Sequence, residues 1–442
     1  MPVFLEEFAS SLNSKKESMK EKIFRGTPNP LRDSFKRNFD SLWIPISKPS
    51  DFSLSPHELN ITAIDSSVYT NLLSTGGIFY VIRSLAVCGE RMQKILESDV
   101  LFTKEGFYKV HQFVGTKMEL LEFQAAIDAL KNGFKCNAIL LDGSLYGRAV
   151  HLPIETKIEG ERVMLLKYFF VYHELLNLCR TENVLLMGVS KESRSTFYRD
   201  YLLSLILDEE LKKTEIESQQ IRKLKAIFLE VLDNEKAAFN KFGRLEEKYG
   251  IELETIELIL IELASSRPDY QLVMNFAQSL GYTQPMILGP SRRAARRFEE
   301  CRLNPRGYAK KYFPLTTREE GAKFVDWATE IIFNISKLPS FVSFYLLLDT
   351  RDSPIRIDVP YWEHSLSEIG WPRPVDLDLE DLLRIMVTGY CGLDAYNFWL
   401  KNVDERVRLK RKVVDKIYFP YMERLFQEKI IRGRGYRRVR YP

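Results

Sequence analysis

The sequence predicts an α/β protein, a mixed sheet flanked by helices and interrupted by an inserted helical subdomain. Three observations carry this. Two short apolar runs of β-type residues each end in an aspartate followed by small residues, Asn60-Ile61-Thr62-Ala63-Ile64-Asp65-Ser66-Ser67 and Ala138-Ile139-Leu140-Leu141-Asp142-Gly143-Ser144. Further strand-like runs and one helix lie between them. From about residue 202 the pattern turns wholly helical and highly charged, with alternating sign.

Each element has its own signal. Residues 78–87 (IFYVIRSLAV) and 107–114 (FYKVHQFV) are rich in β-branched and aromatic residues, and Gly76, Gly77, Gly89, Gly106 and Gly115 bound them, so both are expected as strands. Residues 116–131 (TKMELLEFQAAIDALK) follow as a helix. The expected order is strand with Asp65, strand, strand, helix, strand with Asp142.

On that helix Met118, Leu121, Ala125 and Ala129 make one apolar stripe, with Glu122 in its middle and Glu119 and Asp128 on its flanks. A carboxylate on a buried face must be paired, protonated or bound to metal. Asp65, Glu122 and Asp142 are therefore candidate catalytic residues and metal ligands, an oxygen-only set suited to Mg²⁺ or Mn²⁺ in a two-metal site. The structural alternative for each aspartate is a turn residue that bonds its own backbone.

Length and composition bound the rest. A chain of 442 residues, 45% apolar and 28% charged, has room for two or three domains or one domain with a large insertion. The expected division is an N-terminal helix and linker over 1–58, the first part of a catalytic core over 59–201, a helical insertion over 202–280, and completion of the core with basic C-terminal helices over 281–442. The net charge is only +4, so affinity for nucleic acid must come from local patches. Five dispersed cysteines without CxxC spacing argue for reduced thiols in a cytoplasm, against zinc ribbons and disulfide frames. No long uncharged apolar run and no signal-peptide core occur, so the expectation is a protein neither secreted nor membrane-spanning. The absence of a GxxxxGK[ST] loop excludes an ATP-driven motor; translocation would need a separate ATPase.

Along the chain, residues 2–24 read as an amphipathic docking or dimer helix, followed by a Pro- and Ser-rich linker to Glu58. The pair His173-Glu174 lacks a second histidine four residues on and is no zinc-protease motif. A strand over 184–189 ends at Ser190-Lys191-Glu192-Ser193-Arg194-Ser195, where Lys191 and Arg194 are placed to hold a phosphate. Residues 290–313 gather Arg292, Arg293, Arg296, Arg297, Arg302, Arg306, Lys310 and Lys311, with Phe298, Tyr308 and Tyr312 interleaved, a pattern suited to a nucleic-acid backbone and stacked bases. Residues 341–348 and 355–359 read as a hairpin. From Lys401 onward fourteen Lys or Arg stand against five acids, and the final GRGYRRVRYP is expected to order only on a polyanion or partner.

The chain resembles the NurA family of prokaryotic, mainly archaeal, nucleases from the Asp65 strand to the C-terminal helices. The matching points are AIDSS at Asp65, Glu122 on its helix, LLDGSL at Asp142, the run Lys191 to Ser195, and Gly389-Tyr390 after an apolar helix. The resemblance implies a ribonuclease-H-like fold and a homodimer. It implies a Mn²⁺- or Mg²⁺-dependent 5′-to-3′ DNA exonuclease with single-strand endonuclease activity. It also implies DNA end resection in recombinational repair with the hexameric HerA translocase. Asp65, Glu122 and Asp142 then take the metal-ligand roles and Tyr390 that of an active-site tyrosine. Two departures stand out: Asp65-Ser66-Ser67 replaces the usual Asp-Gly-Ser, and the histidine common after Gly-Tyr is absent from GYCGLDAYNFW, with Tyr396 near its place. Asp358, His364 and Asp394 are the candidates for a fourth ligand. The competing expectation is a non-catalytic dimeric DNA-binding clamp that regulates the translocase.

Overall fold

The β-branched and aromatic runs on either side of Gly76-Gly77 pair as a long hairpin, and a third strand extends it. In order, the strands are β1 (Trp43–Pro45), β2 (Ile61–Leu72), β3 (Ile78–Cys88), β4 (Arg91–Leu101), β5 (Ala138–Asp142), β6 (Leu185–Lys191), β7 (Gly281–Thr283), β8 (Met286–Leu288), β9 (Pro339–Leu347), β10 (Ile355–Ser365) and β11 (Arg373–Pro374). The computed structural model describes residues 3–24, 30–47, 49–214, 216–233, 237–249 and 253–432.

Among these the strands form one mixed sheet in the order β1-β7-β9-β10-β6-β5-β2-β3-β4, with β8 pairing β9 and β11 pairing β8. The pairings β2–β5 and β5–β6 are parallel and the others antiparallel. The order β4-β3-β2-β5-β6 makes the mixed sheet of the α/β core expected from the sequence. The connection from β2 to β5 passes through β3, β4 and the helix Phe107–Lys131, and that from β5 to β6 through the helices Leu145–Ala149 and Met164–Thr181, crossovers of the kind that parallel strands require.

Side chains alternate across the pleat and build a core on each face. Ile64, Ile139 and Leu141 pack with the helices Phe107–Lys131, Met164–Thr181 and Pro314–Ile335. Ala63, Leu140 and Val189 point the other way, into the helices Glu380–Gly389 and Phe398–Val407 through Leu382, Met386, Leu400 and Val403.

Several expectations change. Residues 107–114 are not a strand but the first turns of a helix that runs from Phe107 to Lys131. Val110, Phe113, Val114 and Leu121 are buried at helical spacing, so helical periodicity outweighs aromatic and β-branched content there. The third strand is instead β4, a largely exposed edge strand whose charged residues concealed it. The chain falls into two compact units, Met1–Ser41 with Leu202–Ser266, and Leu42–Tyr201 with Arg267–Pro442. The helical subdomain thus takes in the N-terminal helices and ends before 280. Residues beyond Arg267 belong with the sheet because Asp269 accepts the backbone N–H groups of Tyr198 and Arg199 at 3.1 and 2.8 Å.

In the first unit Leu224, Ile227, Phe228 and Val231 of one helix and Ile256, Ile259, Leu260 and Leu263 of another are buried. The helix Leu5–Ser14 buries no side chain. No helix among the described residues is long and apolar enough to cross a membrane. The run GRGYRRVRYP, from residue 433 on, lies outside the described residues.

Candidate active site at the acidic edge of the sheet

Parallel pairing of Ile64 with Leu141 brings Asp65 and Asp142, the next residue on each strand, side by side. By the alternation of the pleat both stand on the face covered by the helices Glu380–Gly389 and Phe398–Val407. The turn after Asp142 needs two glycines. Gly143 adopts φ 109°, and a Cβ on Gly188 of β6 would meet the Gly143 carbonyl oxygen and the Leu145 nitrogen at 2.7 Å. The turn therefore folds tightly across β6.

Asp358, proposed from sequence as a fourth ligand, anchors this turn from below. It is fully buried, accepts from Ser144 Oγ, and also accepts from the Tyr146 backbone N–H at 3.2 Å, Ser343 Oγ at 2.6 Å and Arg356 Nε at 2.9 Å. Its oxygens are committed to structure. His364 stands 3.9 Å from Glu368 and 3.3 Å from Arg373, and Asp394 is exposed in a loop.

Glu122 rises from beneath the other face. Its carboxylate accepts from Ser66 Oγ and pairs with Arg148 Nη2 at 2.5 Å, and the same Nη2 donates to the Asp142 carbonyl at 2.8 Å. Both members of the pair are almost completely buried. The flanking Glu119 faces elsewhere, accepting from the Tyr168 hydroxyl at 2.7 Å.

The site is electrostatically strained by its own acids. Burial first, then the negative charges of Glu122 and Asp142, push the Asp65 carboxyl up to about 7. Burial likewise raises Asp142, opposed by Lys191 and Arg148. It raises Glu122, opposed by Arg148 and the Ser66 hydrogen bond. A fourth carboxylate, Asp404 on the helix Phe398–Val407, adds its charge to Asp65, Asp142 and Tyr396. Sequence reading missed it, because Asp404 sits in a charged helix with no motif; only the packing of that helix on β2 reveals it.

The tyrosines divide differently from expectation. Tyr396 directs its hydroxyl to Asp142 Oδ2 at 3.4 Å, and Lys191 Nζ lies 4.0 Å from its ring centroid and 3.9 Å from the same carboxylate. Burial and Asp142 raise its pKa. Tyr390 donates instead to Asp352 at 3.1 Å.

Arg194 is exposed in the loop beyond Lys191. In the basic helix Arg292–Leu303, Arg296 and Arg297 are exposed, whereas the side chains of Arg292 and Arg293 lie outside the described residues. The aromatics expected to stack on bases have another task. Phe298 and Tyr308 are fully buried core residues, and Tyr312, half-buried, bonds Glu300 at 3.2 Å.

Among the described residues no group of three or more His, Cys, Asp or Glu side chains is gathered closely enough to hold a metal ion. The donor chemistry nevertheless fits a hard divalent cation. Asp65 and Asp142 offer oxygen ligands whose mutual repulsion such an ion would relieve, while Glu122 would join only by leaving Arg148.

A family model described as the NurA domain matches residues 59–436. No curated protein matches the chain. Among solved structures, the NurA nuclease from Sulfolobus solfataricus aligns over 97% of this chain and 98% of its own, with 12% identity and a TM-score of 0.51. A structure of NurA bound to dAMP and manganese aligns over 94% of this chain and 95% of its own, with 14% identity and a TM-score of 0.38.

Proposed function

The chain belongs to the NurA family, and from that membership and the acidic edge of its sheet we infer that it is a metal-dependent DNA nuclease. The observation that supports this most is the side-by-side placement of Asp65 and Asp142 on adjacent parallel strands, where burial and neighbouring negative charge hold the Asp65 carboxyl at about 7. In this reading Asp65 and Asp142 hold Mn²⁺ or Mg²⁺, with Glu122 as a third ligand once freed from Arg148. A divalent ion held there would polarise a phosphodiester and lower the pKa of an attacking water.

The chain's own groups do the rest. Lys191, charged and exposed beside Asp142, takes the scissile phosphate, and Arg194 extends that grip along the backbone. Tyr396 holds the Asp142 carboxylate in place and stands near the place where the family resemblance leads one to expect a histidine. Tyr390, the tyrosine that resemblance marks as active, would reach the acids only by leaving Asp352. The basic helix, through Arg292, Arg293, Arg296 and Arg297, adds sequence-independent affinity for the backbone.

The finer reading is a 5′-to-3′ exonuclease and single-strand endonuclease. It would act as a homodimer in DNA end resection with a HerA-type hexameric translocase, which supplies the ATPase this chain lacks. The test is cleavage of labelled DNA in Mn²⁺, with and without EDTA and with and without the translocase. The clamp reading predicts DNA binding and no EDTA-sensitive cleavage; the nuclease reading predicts both.

A further inference from the structure

A second feature lies at the other end of the sheet from the acids. β10 begins at Ile355, paired with Lys191 beside Asp142, and runs to Ser365, paired with Pro339. Asp142 is level with Val189 and Val189 with Ile357, so Trp362, five residues further along β10, lies about 17 Å along the strand from the acids at the ordinary rise of a strand. There a cleft of 1080 Å³ opens, lined among others by Arg180, Arg296, Arg302, Lys337 and Trp362.

Its construction favours a polyanion. Arg296, Glu299 and Arg302 share one face of the basic helix at spacings of three, while Phe298 and Cys301 of the same helix are buried in the core. Arg180 at the end of the helix Met164–Thr181 lies over the Trp362 ring, 4.5 Å from its centroid, and Lys337 lies 4.3 Å from the Phe333 centroid. Four Arg or Lys side chains therefore face two acids, Glu299 and Glu368, within the cleft. Burial, and after it the charge of Lys337, lower the pKa of His173 on the wall. Arg297, one residue from Arg296, turns instead toward Tyr312, 5.7 Å from its ring centroid, so the arginines of this helix do not form one uniform surface.

We propose that this cleft is a second nucleic-acid site, which holds a single-stranded segment with phosphates on Arg296, Arg302 and Lys337 and a base on the guanidinium of Arg180 where it covers the Trp362 ring. Its volume, 1080 Å³, lies just above the range of small-ligand clefts, about 300–1,000 Å³, which leaves room for a few nucleotides. The combination of cations with an aromatic surface is that of sequence-tolerant single-strand binding. The inference rests on the reading that this chain acts on DNA, and it adds a place that keeps a strand engaged away from the acids.

The test uses the full chain in EDTA, so that failure to bind is not confused with failure to cleave. Fluorescence anisotropy with a labelled oligothymidylate is followed across salt for the parent, for R302A/K337A, for the charge reversal R302E/K337E, and for W362A. The expected result is affinity about tenfold lower for R302A/K337A and lower again for the reversal, with the salt slope smaller by ~0.7 for each phosphate that the variant no longer neutralises. W362A is expected to weaken binding without changing that slope. Circular dichroism and melting identify any variant that fails to fold, and the exposed pair R302A/K337A decides the matter if W362A does. Parental affinity and salt slope in folded R302A/K337A would overturn the proposal. So would an equal loss for an acidic peptide of the same charge, which would mark a site for acidic protein rather than nucleic acid.

Discussion

The hydroxyl of Tyr396 points at Oδ2 of Asp142 from 3.4 Å, while the ring of the same tyrosine carries Lys191 on its face. One residue thus steadies an acid and a base at the edge of the sheet. Tyr390, six positions earlier, is tied to Asp352 instead.

Tyr396→Phe removes the hydroxyl and keeps the ring under Lys191. At 3.4 Å the bond is longer than an ordinary O–H···O contact and contributes about 1 kcal/mol, so the turnover of DNA in Mn²⁺ is expected to fall by about fivefold. Tyr390→Phe is expected to leave turnover within about twofold of the parent. Parallel cleavage assays settle it; a larger loss from the Tyr390 change would reverse the assignment.

Arg148 and Glu122 make a buried ion pair through Arg148 Nη2. Removing one partner of such a pair costs about 3–5 kcal/mol, so Arg148→Met is expected to lower the urea midpoint sharply. The double change Arg148→Met with Glu122→Leu should recover much of that loss, since no uncompensated charge is left in the interior. If the double variant were as unstable as the single one, the pair would not be the source.

The Asp65 carboxyl gives a pH dependence with a definite sign. Its folded pKa, about 7, is above its ordinary value of 3.8, so between those values the native state holds a proton that the unfolded state has lost. In the absence of metal its contribution to stability therefore falls as pH rises from about 4 to 7. Metal must displace that proton, so the Mn²⁺-induced rise in melting temperature should grow with pH up to about 7 and then level off. In Asp65→Asn the pH dependence of the metal-free protein should flatten across this window, as read by urea denaturation at fixed ionic strength.

Much of this architecture was legible from residues alone. Asp65 and Asp142 drew notice because each ends an apolar run, although only Asp142 ends its strand and Asp65 lies inside β2, which continues to Leu72; Glu122 drew notice because a charge amid Met118, Leu121 and Ala125 demands a partner. The partner was not legible: Arg148 lies in a different element and meets Glu122 only through the turn after Asp142. Strand β4 escaped notice because it alternates exposed and half-buried positions with charged residues on both, which leaves no apolar run, and its place was assigned to residues 107–114, whose aromatic content imitates a strand. Phe298 and Tyr308 carried the composition of a base-stacking surface but occupy core positions that any helix needs. Asp404 had no local signature at all, since its place beside the acids comes from packing of its helix on β2.

The most direct measurement is manganese-dependent cleavage of labelled DNA by Asp65→Ala and Asp142→Ala beside the parent, with binding followed separately in EDTA. The expected result is EDTA-sensitive cleavage by the parent, loss of at least about 10³-fold in each variant, and DNA affinity within about twofold of the parent. Cleavage by either folded variant at the parental rate would contradict the placement of the catalytic metal between these two aspartates.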